Sequence, residues 1–345
     1  MAARILRPPM KIAYLLDTFP SPTETFIARE IEALRRRGFS IEVFAFNAGE
    51  GARTIPQSLA QKLSPRRWDL VGRALDVLGF DHVHAGWANH LADVARAAAH
   101  WANIPWSFSA HARDLWVEGG DLRGKLASAK FATTCTLAGA EELRKFGGNV
   151  VYAPHGLELA LYEFRLPGLS GPKKLVGVGR LVEKKGWDDA IRAAYASDAK
   201  LTIFGDGPER ERLAQLRGAH LRPALPHEQL VQELRAFNCL VLPSRRTEDG
   251  DRDGLANVLL EAGALGLPIV TTNAGSASDF VDDSTGFLVE ANNSSALADA
   301  IERVFAAPET TIERCLNARK RVEERFDADR NIEVLAELFK DVPVV

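Results

Sequence analysis

Short apolar runs alternate along this chain with longer segments in which apolar residues recur every three or four positions. The first run, residues 11–16, predicts a buried strand, and residues 26–37 have the periodicity of an amphipathic helix. A second apolar run over residues 41–46 predicts another strand. The same alternation returns later, with a strand predicted over 240–242 and a helix over 255–265. Strands separated by helices indicate an α/β fold with parallel sheets.

The length of 345 residues, of which 46% are hydrophobic, suits about two domains. Residues 166–174 contain Pro, Gly, Ser and Lys and predict a linker between domains over residues 1–165 and 175–328. Residues 329–345 predict a C-terminal helix. A further helical pattern covers residues 68–78, in an otherwise plain part of the first domain.

The formal net charge of -3 gives no indication of a nucleic-acid-binding protein. Cys135, Cys239 and Cys315 are far apart and lack metal-ligand spacing, so we expect reduced cysteines in a cytoplasmic protein. Residues 1–9 lack the apolar core of a signal peptide, and no apolar run approaches the roughly 20 residues of a membrane span. The weakly basic first half leaves peripheral contact with an anionic membrane surface open.

One polar, acidic stretch connects the predicted strand over 240–242 to the predicted helix over 255–265. In parallel sheets, ligands bind beyond the carboxyl ends of the strands. Asp253 precedes the helix, Glu261 lies about two turns inside it, and Gly254 would allow backbone amides to approach a phosphate. Asp253 as a helix cap and Glu261 as an exposed helical residue are the simpler interpretations. The apolar neighbours of Glu261 instead favour a carboxylate with a specific partner.

The stretch from Asp253 to Pro268 reads acid-Gly-x6-Glu-Ala-x-Ala-x-Gly-x-Pro. It resembles the acid-x7-Glu signature of retaining glycosyltransferases of the family 4, or group 1, type, whose first acid is usually Glu. The resemblance implies the GT-B architecture, in which two Rossmann-like domains with parallel sheets face each other across a cleft. It also implies that the C-terminal helix returns toward the first domain. The resemblance covers nearly the whole chain and is most specific in its second half.

A second motif, Gly179-Arg180-Leu181 followed by Lys185-Gly186, resembles the family's phosphate-binding loop. Fixed cations in this loop would stabilise the charge of a departing diphosphate. The resemblance also implies that Glu261 binds ribose and that Asp253 contacts the sugar, whereas we expect Lys184 to be solvated. The donor-binding residues implied in this way are Gly179, Arg180, Lys185, Gly205, Gly207, Asp253, Gly254, Leu255 and Glu261. A plain tight turn explains Gly205 and Gly207 nearly as well.

His111 follows a predicted strand over 104–109. Ala110-His111-Ala112, with Asp114 nearby, resembles the family's first-domain histidine, which contacts the donor sugar near its 6-position; a structural role is the alternative. The candidate catalytic residues are therefore His111, Arg180, Lys185 and Asp253. His82, His84 and His111 suggest a metal site as another interpretation, but no matching Cys or carboxylate ligand set is evident. Because the family needs no bound metal, we predict no metal and no cofactor.

Phe19-Pro20-x-x-Thr23-Glu24-Thr25 resembles the opening of a family subgroup that builds bacterial exopolysaccharides. The resemblance implies that Thr23 and Glu24 lie on the acceptor side, and His84 resembles a further position that lines the cleft. The simpler alternative is that this segment is only the capped start of a helix.

We therefore predict a retaining hexosyltransferase that moves a sugar from a UDP- or GDP-sugar to a lipid-linked or polysaccharide acceptor. In this interpretation the transfer is metal-independent and the leaving phosphate helps to deprotonate the acceptor on the same face of the sugar. A sugar-nucleotide epimerase or phosphorylase on the same fold is one alternative. A non-catalytic nucleotide-sugar-binding partner subunit is the other. We expect a cytoplasmic location, with association at the inner membrane face left open.

Overall fold

A computed structural model of the chain describes residues 9–21, 25–55, 75 and 77–342. The predicted acceptor-side residues Thr23 and Glu24 lie outside the described residues, as does most of the helix predicted over residues 68–78.

The chain forms two compact units. Unit 1 comprises Met1–His155 together with Asp329–Val345, and unit 2 comprises Gly156–Ala328. The C-terminal segment thus belongs to the same unit as the start of the chain. Residues 166–174, which the sequence indicates as a linker, lie within unit 2.

Unit 1 contains a sheet of seven strands among the described residues, and all of its strand pairings are parallel. The strands are β1 (Lys11–Phe19), β2 (Ser40–Ala48), β3 (Ala52–Thr54), β4 (His82–Ala85), β5 (Trp106–Ala110), β6 (Phe131–Thr134) and β7 (Val150–Tyr152). Their order across the sheet is β3-β2-β1-β4-β5-β6-β7. The connecting helices are α1 (Thr25–Arg36), α2 (His90–Ala102), α3 (Ala112–Trp116), α4 (Leu122–Ser128) and α5 (Leu137–Arg144).

Unit 2 contains a sheet of six parallel strands. The strands are β8 (Lys174–Val178), β9 (Lys200–Phe204), β10 (His220–Arg222), β11 (Cys239–Leu242), β12 (Ile269–Thr272) and β13 (Phe287–Val289). Their order is β10-β9-β8-β11-β12-β13, which is the Rossmann order. Its helices are α6 (Trp187–Ala196), α7 (Arg210–Ala214), α8 (His227–Leu234), α9 (Asn257–Leu265), α10 (Ser294–Ala306) and α11 (Pro308–Arg325).

Successive side chains of β1 point to opposite faces of the sheet, which explains how unit 1 buries both faces. Ile12, Tyr14 and Leu16 join one apolar cluster, while Ala13 and Leu15 join a second cluster on the opposite face. The last helix, α12 (Ala328–Lys340), contributes Phe339 and three neighbouring apolar side chains to the first cluster. The predicted α/β fold with parallel sheets is confirmed in both units.

Helix α9 is the central helix of unit 2. Every residue from Val258 to Leu265 is buried, including Glu261. The helix begins at Asn257 rather than at Leu255, where the sequence pattern places its start. In the described part of the chain, no helix combines the length and the apolar character needed to cross a membrane.

Candidate active site

The order of the strands in unit 2 defines where a ligand can bind. Strands β8 and β11 are neighbours in the sheet. The strand after β8 in the chain, β9, lies on one side of this pair, and the strand after β11, β12, lies on the other side. Crossover connections therefore leave this pair in opposite directions, and a crevice forms beyond their carboxyl ends. The loops at this point cover residues 179–186 and 243–256. They carry three of the candidate catalytic residues predicted from the sequence, Arg180, Lys185 and Asp253.

The structure brings Lys185 and Asp253 together. Lys185 Nζ lies 2.7 Å from Asp253 Oδ2, and Ser244 Oγ donates to the same oxygen at 2.6 Å. Burial would raise the pKa of Asp253, but the Lys185 ammonium and the Ser244 hydroxyl bond more than offset this and hold it below its usual value. Asp253 is therefore ionised and positioned. It is not the helix cap, because α9 is preceded by Ala256.

Lys184 is also part of this loop pair, and its predicted solvation is wrong. Its side chain is only 8% exposed, and its Nζ lies 3.0 Å from Asp251 Oδ1 and 3.9 Å from Asp253 Oδ1. The two adjacent lysines after β8 thus contact two different acids after β11: Lys184 contacts Asp251, and Lys185 contacts Asp253. Breaking one such buried ion pair is costly, so the pairs fix the two loops relative to each other.

Arg180 differs from both lysines. Its side chain is exposed, and no hydrogen bond or ion pair to its guanidinium is found within the described residues. Its backbone is nonetheless fixed, since Trp187 Nε1 donates to the Arg180 carbonyl oxygen at 2.9 Å. The loop therefore presents an exposed cation that is available to an anionic ligand.

Three predicted donor-site glycines allow the loop after β9 to lie against the loop after β8. A Cβ at Gly205 would lie 1.9 Å from the Gly179 carbonyl oxygen, and one at Gly207 would lie 2.5 Å from the Leu181 carbonyl oxygen. Gly179 and Gly207 also have φ values of +153° and +155°. This close packing gives a structural reason for all three glycines, and contact with a nucleotide remains a prediction.

Gly275 supports the site in a way that the sequence alone does not reveal. It has a φ of +78°, and a Cβ there would lie 2.1 Å from the Asp253 carbonyl oxygen. The loop after β12 therefore contacts the backbone of the acidic loop directly. Gly254 and Leu255, the predicted amide donors, lie half-buried in that loop just before α9.

Glu261 lies on α9 with its side chain 7% exposed, so the interpretation as an exposed helical residue is wrong. Its Oε1 lies 3.2 Å from His227 Nε2, and the Tyr162 hydroxyl donates to it at 3.4 Å. Tyr162 and His227 are themselves 2.9 Å apart. Neither residue was predicted for the site. His227 is 34 positions from Glu261 and Tyr162 is 99 positions from it, and no motif links them.

In unit 1, His111 follows β5 and precedes α3. The carboxylate of Asp114 accepts from the backbone N–H groups of His111 at 2.8 Å and Ala88 at 2.5 Å, which fixes both loops. The His111 ring packs 4.3 Å from the Trp87 ring. Burial, with smaller contributions from nearby histidines, holds the pKa of His111 well below its usual range, so the imidazole is neutral.

His84 does not have the exposure that an acceptor-side role requires, and that prediction is corrected. His82 and His84 are fully buried, and both lie 2.7 Å from Ser107 Oγ. Phe339 of α12 packs against both rings at 5.3 and 5.5 Å. These two histidines are therefore hydrogen-bonded core residues of unit 1 rather than metal ligands.

Unit 2 is similar to a known protein family. Residues 163–325 match the family model described as "Glycosyl transferases group 1". The matched region contains Arg180, Lys185, Asp253 and Glu261, so it covers the crevice at β8 and β11. This region, which forms most of unit 2, resembles the group 1 glycosyltransferases.

Relatives resemble the chain over most of its length. It is 25% identical to the putative colanic acid biosynthesis glycosyltransferase WcaL of Escherichia coli (strain K12), over 94% of this chain and 97% of that protein. It is 27% identical to the putative teichuronic acid biosynthesis glycosyltransferase TuaC of Bacillus subtilis (strain 168), over 76% of this chain and 71% of that protein.

Solved structures show the same fold. The sucrose-phosphate synthase of Thermosynechococcus elongatus matches with a TM-score of 0.76 at 20% identity, over 96% of this chain and 98% of that chain. HepE of Anabaena, solved with UDP-glucose, matches with a TM-score of 0.75 at 18% identity, over 96% and 100%. The prediction of two parallel-sheet α/β domains like those of GT-B proteins is thereby confirmed.

Proposed function

We propose that this glycosyltransferase moves a hexosyl group from a UDP- or GDP-sugar to a lipid-linked or polysaccharide acceptor, with retention at the anomeric carbon. The observation that carries the proposal is the arrangement in unit 2. An exposed Arg180, unpaired among the described residues, and the Lys185–Asp253 pair lie at the switch point of the sheet. The helix that follows the same crevice carries the buried carboxylate of Glu261.

In this proposal Arg180 and Lys185 bind the diphosphate of the donor. As the bond between the sugar and the diphosphate breaks, the leaving oxygen gains negative charge, and preorganised cations stabilise it without reorganisation. Arg180 and Lys185 supply two such charges. These side chains take the place of a divalent cation, so the proposed reaction requires neither a metal nor a cofactor.

In this proposal the carboxylate of Glu261 binds the ribose hydroxyls of the donor. An ionised Glu accepts hydrogen bonds at both oxygens and therefore suits two adjacent hydroxyl donors. His227 and Tyr162 contact Oε1 and restrain the side chain within a buried helix. A restrained carboxylate binds with a smaller loss of side-chain entropy than a mobile one.

The transfer step is proposed to occur on one face of the sugar. The bond from the anomeric carbon to the diphosphate oxygen breaks, and a bond to the acceptor oxygen forms on the same side. The acceptor proton passes to the leaving phosphate oxygen, so no protein nucleophile is needed. The proposal gives Asp253 and His111 contacts with the donor sugar, which are roles implied by the family resemblance.

The acceptor class rests on the relatives. WcaL, TuaC and the glycosyltransferase AmsK of Erwinia amylovora are named for the biosynthesis of colanic acid, teichuronic acid and amylovoran. These names are consistent with a cytoplasmic protein that associates peripherally with the membrane to reach a lipid-linked acceptor.

A nucleotide screen tests the proposal. Thermal shift and calorimetry would compare UDP, GDP, ADP and their sugar conjugates, with EDTA present to remove metal. A ligand at 100 times its Kd stabilises the native state by about 2.7 kcal/mol. We expect one base to give a clear shift that Arg180→Ala weakens. No shift with any nucleotide would refute the donor site, and binding without transfer to any acceptor would favour the non-catalytic alternative.

A further inference from the structure

Three side chains that can bind a metal follow three neighbouring strands of unit 1. His111 comes directly after β5, Cys135 directly after β6, and His155 three residues after β7. The register pairs Ala110 with Thr134 and Thr134 with Tyr152, so these strands end at the same edge of the sheet. The topology therefore brings together residues that are widely separated in the sequence.

The side chains converge as well as the strand ends. One nitrogen of each histidine and the Cys135 Sγ all lie within 4.8 Å of one another, and the three residues are half-buried. Cys135 is outside any disulfide. The two imidazole rings are 5.4 Å apart, and Phe26 stacks on His155 at 4.2 Å. In addition, His111 Nδ1 is inaccessible to solvent and has no hydrogen-bond partner among the described residues.

We propose that His111, Cys135 and His155 form a binding site for Zn²⁺ or a divalent ion of similar ligand preference. Two imidazoles and a thiolate are ligands that zinc prefers, whereas Mg²⁺ and Ca²⁺ prefer oxygen. Bond lengths of about 2.0–2.3 Å place the ligand atoms of a tetrahedral site roughly 3.5 Å apart. Side-chain rotations that close the cluster by about 1 Å satisfy this geometry. On binding, the Cys135 thiol releases its proton, and a water molecule completes the fourth position.

The site has a consequence for activity because His111 is shared. The imidazole nitrogen that binds the metal cannot hydrogen-bond to a sugar hydroxyl, and the bound ion also fixes the ring orientation and therefore the direction of the other nitrogen. Bound Zn²⁺ therefore inhibits transfer and EDTA restores it. This consequence rests on the proposed function, whereas metal binding itself does not.

Cobalt titration of the metal-free full-length protein tests the site without any activity measurement. Co²⁺ bound by a thiolate gives a near-ultraviolet charge-transfer band, and a tetrahedral site gives strong visible absorption. We expect one Co²⁺ per chain with both signals, displaced by Zn²⁺. His155→Gln should weaken Zn²⁺ binding by at least about 100-fold, since even removal of an outer-shell partner costs about 10–100-fold.

Matched variants separate this site from surface binding. Cys135→Ser should abolish the charge-transfer band, while Cys315→Ser, which removes a buried cysteine of unit 2, should leave it unchanged. His100→Gln, at an exposed histidine of unit 1, should also have no effect. Absence of the band in the wild type, or its persistence in Cys135→Ser, would overturn the proposal. Inhibition by Zn²⁺ that persists in Cys135→Ser would overturn the shared role of His111.

Discussion

Glu261→Gln is the substitution that tests the donor site most sharply. Gln has nearly the same size and shape as Glu, so the packing of α9 is kept. The change removes the charge and leaves only one accepting oxygen, because the amide NH₂ cannot accept. It therefore removes the carboxylate chemistry assigned to ribose binding while preserving the helix.

The expected loss follows from the bonds at stake. Two hydroxyl donors to a carboxylate contribute about 1.5–3 kcal/mol each, and one bond to a neutral amide oxygen retains about 0.5–1.5 kcal/mol. The nucleotide should therefore bind roughly 2–5 kcal/mol more weakly, which is about 30- to 5000-fold in Kd. Calorimetric titration with the nucleoside diphosphate that binds the wild type measures this directly.

Glu313→Gln is the matched control, because Glu313 is an exposed residue of helix α11 in the same unit. It should leave the Kd unchanged. Thermal unfolding of both variants shows whether the fold is intact. An affinity of Glu261→Gln within threefold of the wild type, with an intact fold, would refute the ribose role of Glu261.

Three further predictions concern the loops around the site. Arg180→Ala and Lys185→Ala should each lower turnover by about 10- to 150-fold, at about 1.5–3 kcal/mol per charge-assisted contact. Only Lys185→Ala should also destabilise the fold, by about 3 kcal/mol, because it removes the nearest cation from buried Asp253 and leaves only Ser244 and the more distant Lys184; equal stability of the two variants in urea unfolding would contradict this. Gly275→Ala should destabilise the protein more than Gly171→Ala, since both have positive φ but a Cβ at Gly171 meets nothing within 4 Å. Similar losses in thermal unfolding would show that the contact with Asp253 is unimportant. The folded-state pKa of Asp253 is depressed, so its contribution to stability is fully present above its unfolded pKa near 3.8 and is lost as pH falls from there through the lower folded-state pKa. Acid unfolding of wild type and Asp253→Asn should therefore differ above pH 4 and converge as pH falls through the folded-state pKa, and parallel curves would refute the assignment.

The spacing of apolar residues predicted many strands and helices, because the side-chain period of each element is set within a short stretch of sequence. The strand predicted over 240–242 begins only one residue earlier in the structure, and the helix predicted over 26–37 covers residues 25–36. The late start of α9 has a non-local cause. Asp253 is drawn into contact with Lys185 and Ser244, which fixes the preceding loop in a non-helical path.

The details of the site depend on contacts between distant positions. Lys184 and Lys185 are adjacent and chemically identical in the sequence, yet 67 positions separate Lys184 from the Asp251 carboxylate that it contacts. His84 illustrates the opposite error. A histidine at the end of a strand resembles a site residue, but Ser107 on the neighbouring strand and Phe339 from the C-terminal helix make it part of the core. Neither arrangement can be read from spacing along the chain.

The reaction proposed for this protein is retaining transfer from a nucleotide-sugar. The most direct measurement is time-resolved proton NMR of the purified enzyme with the donor found in the nucleotide screen and a panel of saccharide and lipid-linked acceptors. We expect a glycosidic product with the anomeric configuration of the donor, formed at a rate that EDTA does not lower. A product of inverted configuration would contradict it.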